Sequence, residues 1–423
     1  MRSDSRRGRL LPLLLFIMVL VAVGSVLAGV AVGATTTTLP LSVAQTESFE
    51  VRAADLDGFD ASPPAIESPS AIVVSLDTGK VLYERNAHKR RPMASTTKIM
   101  TAILVLESGV DLSTPVTVSA KAANTWEVSA WVREGDVLTV EQLLYALMLR
   151  SANGSAVALA ENDAGSVSAF VAKMNKQAQE LGMEDTNFVT TNGLDAEGHY
   201  STAADLATLA RYAMKNEKFR EMVDSETYTL EVQESSSTKG RREPLEITNT
   251  NKLLLQYDWV NGIKTGLTPK AEQCLVASGT KDGRSVISVV LGQPDSPQCF
   301  QESKALMEYG FTQFRPLKLV EKGMTVAEAE VPYQMDGKVE LVTDGALETE
   351  LYAEDVVRTT ITVDRALELP VAAGETYGHV VVTAGGKEVG RCDLVASKSF
   401  PAPTLGSKLA YFFRRLGAAV GIG

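Results

Sequence analysis

Histidine and cysteine are both scarce in this chain, three of each among 423 residues. The histidines, His88, His199 and His379, stand far apart and no G-x-S-x-G element is present, so a histidine-based hydrolytic triad has little support. Cys274, Cys299 and Cys392 show no metal-ligand spacing and are too few for a disulfide scaffold. A Cys274–Cys299 disulfide is permitted in an exported protein, while buried, inert thiols are the simpler expectation. Positive charge is also short. The 41 Lys and Arg against 52 Asp and Glu leave −11, with no basic stripe of the kind nucleic acid requires. What the chain does have is an apolar content of 45%, enough for a full core, and a length that implies two or three domains.

The ends carry targeting information. Arg2, Arg6, Arg7 and Arg9 precede an apolar run over residues 10–27, followed by Val32-Gly33-Ala34. Residues 1–34 therefore read as a secretory signal with a small-residue cleavage site, and the run is also long enough for an uncleaved anchor. Export puts the chemistry on the extracytoplasmic side. Residues 35–68, rich in Thr, Ser, Pro and acids without periodicity, read as a flexible tether. At the far end, after Pro401 and Pro403, Leu409, Phe412, Phe413, Leu416 and Val420 fall on one helical face, with Lys408, Arg414 and Arg415 off it and no acid in the tail. Residues 401–423 are expected to lie in a membrane interface, being too short and too charged to span; the alternative is a helix docked on the preceding domain.

Between the ends the pattern changes twice. Asp77-Thr78-Gly79 separates two apolar runs and predicts a hairpin, after which helical periodicity recurs to about residue 215. Strand-like runs follow, including residues 260–266, read as a strand ending in a turn, and two runs paired across Asp282-Gly283. A last helix is expected near residues 301–309. Strands, a helical block and more strands describe an α+β domain with a mainly antiparallel sheet over residues 69–315. From residue 316 to about 400, short alternating runs between Gly/Asp turns describe a small all-β domain, with the boundary near Arg315-Pro316.

One stretch organises the rest. Ser95-Thr96-Thr97-Lys98 opens the apolar helical run Ile99, Met100, Ile103, Leu104, with Ser95 a good N-cap type. The three-residue gap brings Ser95 and Lys98 onto one face. A serine hydroxyl needs a neighbouring base to become a nucleophile, and a lysine amine serves only where its surroundings lower its pKa. Two further S-x-x-K copies, Ser236 to Lys239 and Ser278 to Lys281, sit in a polar loop and before a turn and do not open helices. Ser151-x-Asn153 is the sole S-x-N and Lys264-Thr265-Gly266 the sole K-T-G. In this order the three motifs are the signature of penicillin-binding proteins and serine β-lactamases.

Residues 71–314 resemble the serine-type D-alanyl-D-alanine carboxypeptidases, the low-molecular-weight penicillin-binding proteins (peptidase S11-like). The blocks Asn249 to Leu253, Asn261 to Thr268, and Gly193-Leu194-Asp195 to Tyr200-Ser201-Thr202 carry the likeness, and the β domain and tail are similar to that family's layout. The resemblance implies the following roles. Ser95 attacks the carbonyl between two D-alanines with Lys98 as base. Ser151 relays a proton towards the leaving amine, while Asn153 binds the substrate amide and holds Lys98. Lys264 and Thr265 bind the terminal carboxylate, and Gly266 admits the substrate as an added strand. Backbone N–H groups of Ser95 and Leu267 form the oxyanion hole. No metal or cofactor is needed. The partners implied are peptidoglycan stem peptides, β-lactams as covalent inhibitors and a membrane surface.

The chain departs from the family pattern at three places. Cys299 stands where many relatives carry an arginine that helps hold the carboxylate, which leaves more to Lys264 and Thr265. Asn192 stands where histidine is common and Glu272 where glycine is common, neither expected to touch the chemistry directly. A class A β-lactamase would add a deacylating E-x-x-x-N element, which is missing between Asn153 and Lys264. An acylable sensor or wall-binding protein with weak turnover is the second alternative.

Overall fold

The computed structural model describes residues 40–41, 45–56, 59, 62–125, 132–231, 243–334, 337–364 and 367–420. The signal segment, residues 126–131 of a loop expected over residues 126–135 (Trp126 and Trp131 among them), and the motif copy at Ser236 and Lys239 lie outside them. The chain divides into two compact units, one of Ser62–Gln313 and one joining Met1–Ala61 to Phe314–Gly423. The described part of the expected tether holds two strands, the short Pro40–Leu41 and then β1 (Gln45–Arg52), which belong to the second unit.

In the first unit, β2 (Ser70–Ser75) and β3 (Val81–Arg85) form a hairpin. Helices α1 (Lys98–Glu107), α2 (Val140–Leu149), α3 (Asn153–Ala164), α4 (Val167–Glu180), α5 (Ala203–Ala213) and α6 (Glu217–Val223) follow. The last was not legible as a helix, being one short amphipathic stretch capped by Asn216. The small hairpin β4 (Thr227–Leu230) and β5 (Leu245–Thr248) precedes β6 (Val260–Thr268), β7 (Glu272–Lys281), β8 (Arg284–Gln293) and α7 (Ser296–Thr312). The latter helix starts five residues before expectation because Asp295 accepts a hydrogen bond from the Gln298 N–H at 2.9 Å and Pro297 suits a first turn.

The five strands run β3-β2-β8-β7-β6, every pair antiparallel. Ile72, Val74, Ile287 and Val289 join the core shared with α1, while Val73 and Val286 meet Gly310 of α7. Both faces are thus covered, which is why β2 and most of β8 read as unbroken apolar runs. Glu302 of α7 fastens the chain entry to this sheet. Its buried carboxylate accepts from the Glu67 and Ser68 N–H groups at 2.8 and 3.2 Å, from Gln293 Nε2 at 3.2 Å and from the Ser68 hydroxyl. Burial alone would raise its pKa, but these donors hold it below the usual value. Among the described residues β6 pairs with a strand on one side only, and its Thr265, Gly266 and Leu267 line the site.

The second unit holds β9 (Phe314–Val320), β10 (Thr325–Glu330), β11 (Lys338–Thr343), β12 (Leu347–Tyr352), β13 (Val356–Val363), β14 (Thr376–Ala384) and β15 (Lys387–Ala396). Among the described residues the larger sheet has seven strands, with the short strand Pro40–Leu41 parallel to β10 at one edge and then β10-β11-β15-β14-β13-β1, and β9 pairs with β12 alone. Pro316, expected at a boundary, lies inside β9, which is tolerable because a strand with a single neighbour has N–H positions to spare. Strand β1 pairs antiparallel with β13 from Arg52 opposite Val356 to Gln45 opposite Val363. That corrects the tether: Phe49 and Val51 pack on the core while Ser48 bonds Thr360 at 3.0 Å and Arg358 donates to Glu50 at 2.6 Å. Two apolar residues in eight gave the pattern too little weight. The chain closes with α8 (Leu405–Val420), on which Leu405, Leu409, Phe412, Phe413 and Leu416 are all exposed. Its Tyr411 meets Tyr333 edge-on at 5.9 Å and Lys408 sits over the same ring. Among the described residues no helix is long and apolar enough to cross a membrane.

Candidate active site

The turn that carries Ser95 is a 3-10 turn, Ala94–Thr97, ahead of α1. Thr96 Oγ1 donates to the Met93 carbonyl at 2.6 Å and Thr97 Oγ1 to the Ala94 carbonyl at 2.8 Å. These backward bonds tighten the turn and leave Ser95 inside it, so Ser95 is not the helix N-cap that its residue type implied. Its hydroxyl is left for other work. Lys98, the first residue of α1, is fully buried, with Nζ 2.8 Å from Ser95 Oγ, 2.7 Å from Asn153 Oδ1 and 2.6 Å from the Asn192 carbonyl.

Asn153 is placed by the junction of α2 and α3. Leu149 ends one helix, Ser151 sits in the left-handed region at φ +62°, and Asn153 starts the next. A non-glycine residue in that conformation is uncommon and is held here by the packed helices around it. Across the gap, Gly266 brings β6 against the Ser95 turn. A Cβ at 266 would lie 3.0 Å from the Ser95 nitrogen and 3.0 Å from Ala94 Cβ, tighter than ordinary side-chain contacts, so a larger residue would need strand or turn to give by a few tenths of an ångström. The K-T-G run does not end in a turn: β6 continues through Leu267 to Thr268. Thr265 Oγ1 bonds Thr250 Oγ1 at 2.7 Å, and the Thr250 N–H donates to the Leu149 carbonyl at 3.0 Å, which ties this strand to the Ser151 junction. Asn251 Nδ2 donates to the Gly262 carbonyl at 2.8 Å, fixing the loop behind.

Lys264 is 1% exposed and donates to the Thr265 carbonyl at 2.9 Å. Burial depresses its pKa to about 7. Position 299 supplies no charge: Cys299 is buried in α7, and burial first, then the nearby Cys274, pushes its thiol up. All three cysteines are buried and unbridged.

A fourth wall was only partly legible. Thr101 Oγ1 donates to the Thr191 carbonyl at 2.6 Å, and the next carbonyl, that of Asn192, accepts from Lys98. Asn192 therefore does touch the centre, through its backbone, contrary to expectation. Gly193, at φ +88°, rests directly on the Ala94 carbonyl, where a Cβ would fall at 1.9 Å. Asp195 then accepts from Thr268 Oγ1 at 2.7 Å and the Lys270 N–H at 3.2 Å, fastening the wall to the end of β6. Glu272, just beyond, sits at φ +58°, a conformation that suits glycine. The block Gly193-Leu194-Asp195 was the available signal. A backbone acceptor has no side-chain signature, so the role of position 192 was not.

These walls enclose a cleft of about 850 Å³. Ser95, Ser151, Asn153, Thr265, Gly266 and Leu267 line it, with Lys98 and Lys264 buried behind. Leu194, Leu255 and Phe300 supply apolar surface, and Arg150 and Lys252 bring cations to it, the Lys252 ammonium lying 5.6 Å from the Phe300 ring centroid. The arrangement suits attack by a hydroxyl on an acyl group beside an open strand edge, with a cationic wall for an anionic substrate end.

A family model described as D-alanyl-D-alanine carboxypeptidase matches residues 57–295, and one described as penicillin-binding protein 5, C-terminal domain, matches residues 314–402. The chain is 32% identical over 349 residues to D-alanyl-D-alanine carboxypeptidase DacF of Bacillus subtilis (strain 168), covering 81% of this chain and 88% of that relative. It is 37% identical over 260 residues to D-alanyl-D-alanine carboxypeptidase of Streptomyces sp. (strain K15), covering 59% and 88%. Among solved structures, DacD of Francisella tularensis superposes with a TM-score of 0.59 at 25% identity, covering 82% of this chain and 96% of that one. The Streptomyces K15 DD-transpeptidase superposes with a TM-score of 0.56 at 36% identity, covering 59% and 99%.

Proposed function

The chain belongs to the D-alanyl-D-alanine carboxypeptidase family of serine peptidases, and from that premise we propose that it removes the terminal D-alanine of peptidoglycan pentapeptide stems through an acyl-enzyme on Ser95. The observation that carries this reading is the coordination of Lys98. An unprotonated amine has two N–H bonds and one lone pair. Asn153 Oδ1 at 2.7 Å and the Asn192 carbonyl at 2.6 Å hold the buried Nζ 2.8 Å from Ser95 Oγ, within reach for an unprotonated amine to take the hydroxyl proton.

Lys98 takes the Ser95 proton while Oγ bonds to the carbonyl carbon, and the oxyanion is held by the Ser95 and Leu267 N–H groups. Loss of one such donor costs about 10²–10³ in rate. Collapse breaks the C–N bond as Ser151 gives its hydroxyl proton to the departing amine of D-alanine and takes in its place the proton held on Lys98, which returns Lys98 to the free amine. Water then attacks the ester carbonyl while Lys98 takes one of its protons; collapse breaks the C–Oγ bond, Lys98 hands that proton to Ser95 Oγ, and the shortened peptide leaves with a new carboxyl group. Lys264 and Thr265 meet the substrate's terminal carboxylate, supported by the open edge of β6 and, in place of an arginine at 299, by the exposed Lys252 on the same cleft. A β-lactam would follow the first half of this sequence and stay as a penicilloyl ester on Ser95.

Action outside the cytoplasm is supported by the signal-like residues 1–34, and attachment to a membrane surface by the exposed apolar face of α8. The deciding experiment pairs intact-mass measurement after penicillin with D-alanine release from a peptide ending in D-Ala-D-Ala. Ser95→Ala should abolish both, and labelling that persists at another serine would overturn the assignment. Labelling of the unaltered protein with essentially no D-alanine release would instead identify a sensor, and rapid loss of the adduct a β-lactamase.

A further inference from the structure

We infer that His199, some hundred residues from the nucleophile in the chain, is a positioning residue that holds the Ser95 turn in its reactive shape through Thr97. The inference rests on the acyl-enzyme reading above and deepens it. His199 is 5% exposed and lies in the loop that forms the fourth wall. The Val189 N–H donates to its Nδ1 at 3.0 Å, so Nδ1 is the acceptor and the ring proton is on Nε2. Nε2 lies 2.9 Å from Thr97 Oγ1, and that hydroxyl spends its one proton on the Ala94 carbonyl at 2.8 Å. Each atom in the relay has one consistent role: Val189 N–H to imidazole, imidazole N–H to hydroxyl, hydroxyl to carbonyl.

The end of the relay matters most. Ala94 is held at φ +49°, a left-handed conformation that an alanine adopts only when its surroundings impose it. That twist sets the direction of the following residue, Ser95. Two contacts hold it from either side: Gly193 presses on the Ala94 carbonyl, and Gly266 on the Ala94 side chain. The Thr97 bond is the polar restraint on the same carbonyl, and His199 fixes which way the Thr97 hydroxyl points. Remove the imidazole donor and the hydroxyl is free to turn, so the carbonyl and the Ser95 hydroxyl beyond it lose their setting. Neither His199 nor Thr97 lines the cleft, so the effect should fall on the chemical step and spare substrate binding.

The test uses the full chain and two pairs of variants. Thr97→Val keeps the side-chain shape without the hydroxyl, and Thr97→Ser restores it. His199→Leu removes the ring donor, and His199→Gln can again present an N–H towards Thr97. Thr97→Val and His199→Leu should each slow penicillin acylation and kcat by about 10- to 100-fold with KM within about twofold of the parent, as for a small misplacement of a reacting group. The double variant should be no slower than either single one, because both break one relay. Thr97→Ser and His199→Gln should recover most of the rate. Thermal midpoints and near-ultraviolet dichroism, recorded for each, separate misplacement from unfolding. Acylation of Thr97→Val at the parental rate would overturn the inference, as would additive losses in the double variant or losses that simply follow the thermal midpoint. Labelling that survives Ser95→Ala would instead remove the acyl-enzyme reading beneath it, so the two failures are distinguishable.

Discussion

Lys264 shows how a single residue's surroundings translate into a pH profile. Its ammonium is buried, and its pKa is brought down to about 7 by that burial. Below pH 7 it is charged and can attract a carboxylate; as pH rises through 7 it loses its proton and with it that attraction. The profile of kcat/KM for a D-Ala-D-Ala peptide should therefore fall on the alkaline side with a midpoint near 7. The kcat profile should bend at higher pH, since a bound carboxylate favours the charged lysine. A kcat/KM flat from about pH 6 to 9 would mean that no group titrating near 7 takes part in carboxylate recognition. The residues that bear functional groups were the legible part of this site, because Ser95, Lys98, Ser151, Asn153 and Lys264 declare their chemistry by type and spacing. What the sequence hid were roles without a type. The Asn192 carbonyl is one acceptor among hundreds, and Thr97 and His199 become a pair only once the loop near residue 190 folds onto the turn.

At the scale of elements, the cleft depends on β6 passing one atom's width from the Ser95 turn. Gly266→Ala should keep the fold, because the clash is confined to Ala94, Ser95 and the Met93 carbonyl, but it should push the strand outward. We expect kcat/KM to fall by about 10²-fold as the Leu267 N–H moves from the developing oxyanion. Unchanged acylation in Gly266→Ala would mean that the strand does not supply that donor. Element type was legible wherever the periodicity was long: α2 and the β7–β8 hairpin follow the pattern of their apolar residues. Ends were less so. The run after Lys264-Thr265-Gly266 looked like a turn, yet β6 extends to Thr268 because Asp195, a distant residue, engages the Thr268 hydroxyl and the Lys270 N–H. Strand β1 was lost for a related reason: its outer face is closed by Ser48, Glu50 and their partners on β13, an arrangement that only the folded neighbour reveals.

For the whole molecule, the two units imply separable duties. Truncation after Pro403 removes α8 and its exposed leucines and phenylalanines but no residue of the cleft. The shortened protein should release D-alanine at the parental rate and lose its affinity for anionic lipid vesicles; equal sedimentation with vesicles before and after truncation would exclude α8 as the anchor. The first unit has a further property that follows from how Ser95 is gripped between Gly193 and Gly266. On the acyl-enzyme reading proposed above, the residues that would make this hydroxyl reactive come from segments far apart in the chain, and none of them could do so alone. A chain still in the course of folding would then carry the serine and the lysine yet have no armed nucleophile. Potency and completion would arrive together, so the fraction of molecules that capture penicillin would also count those that have finished folding.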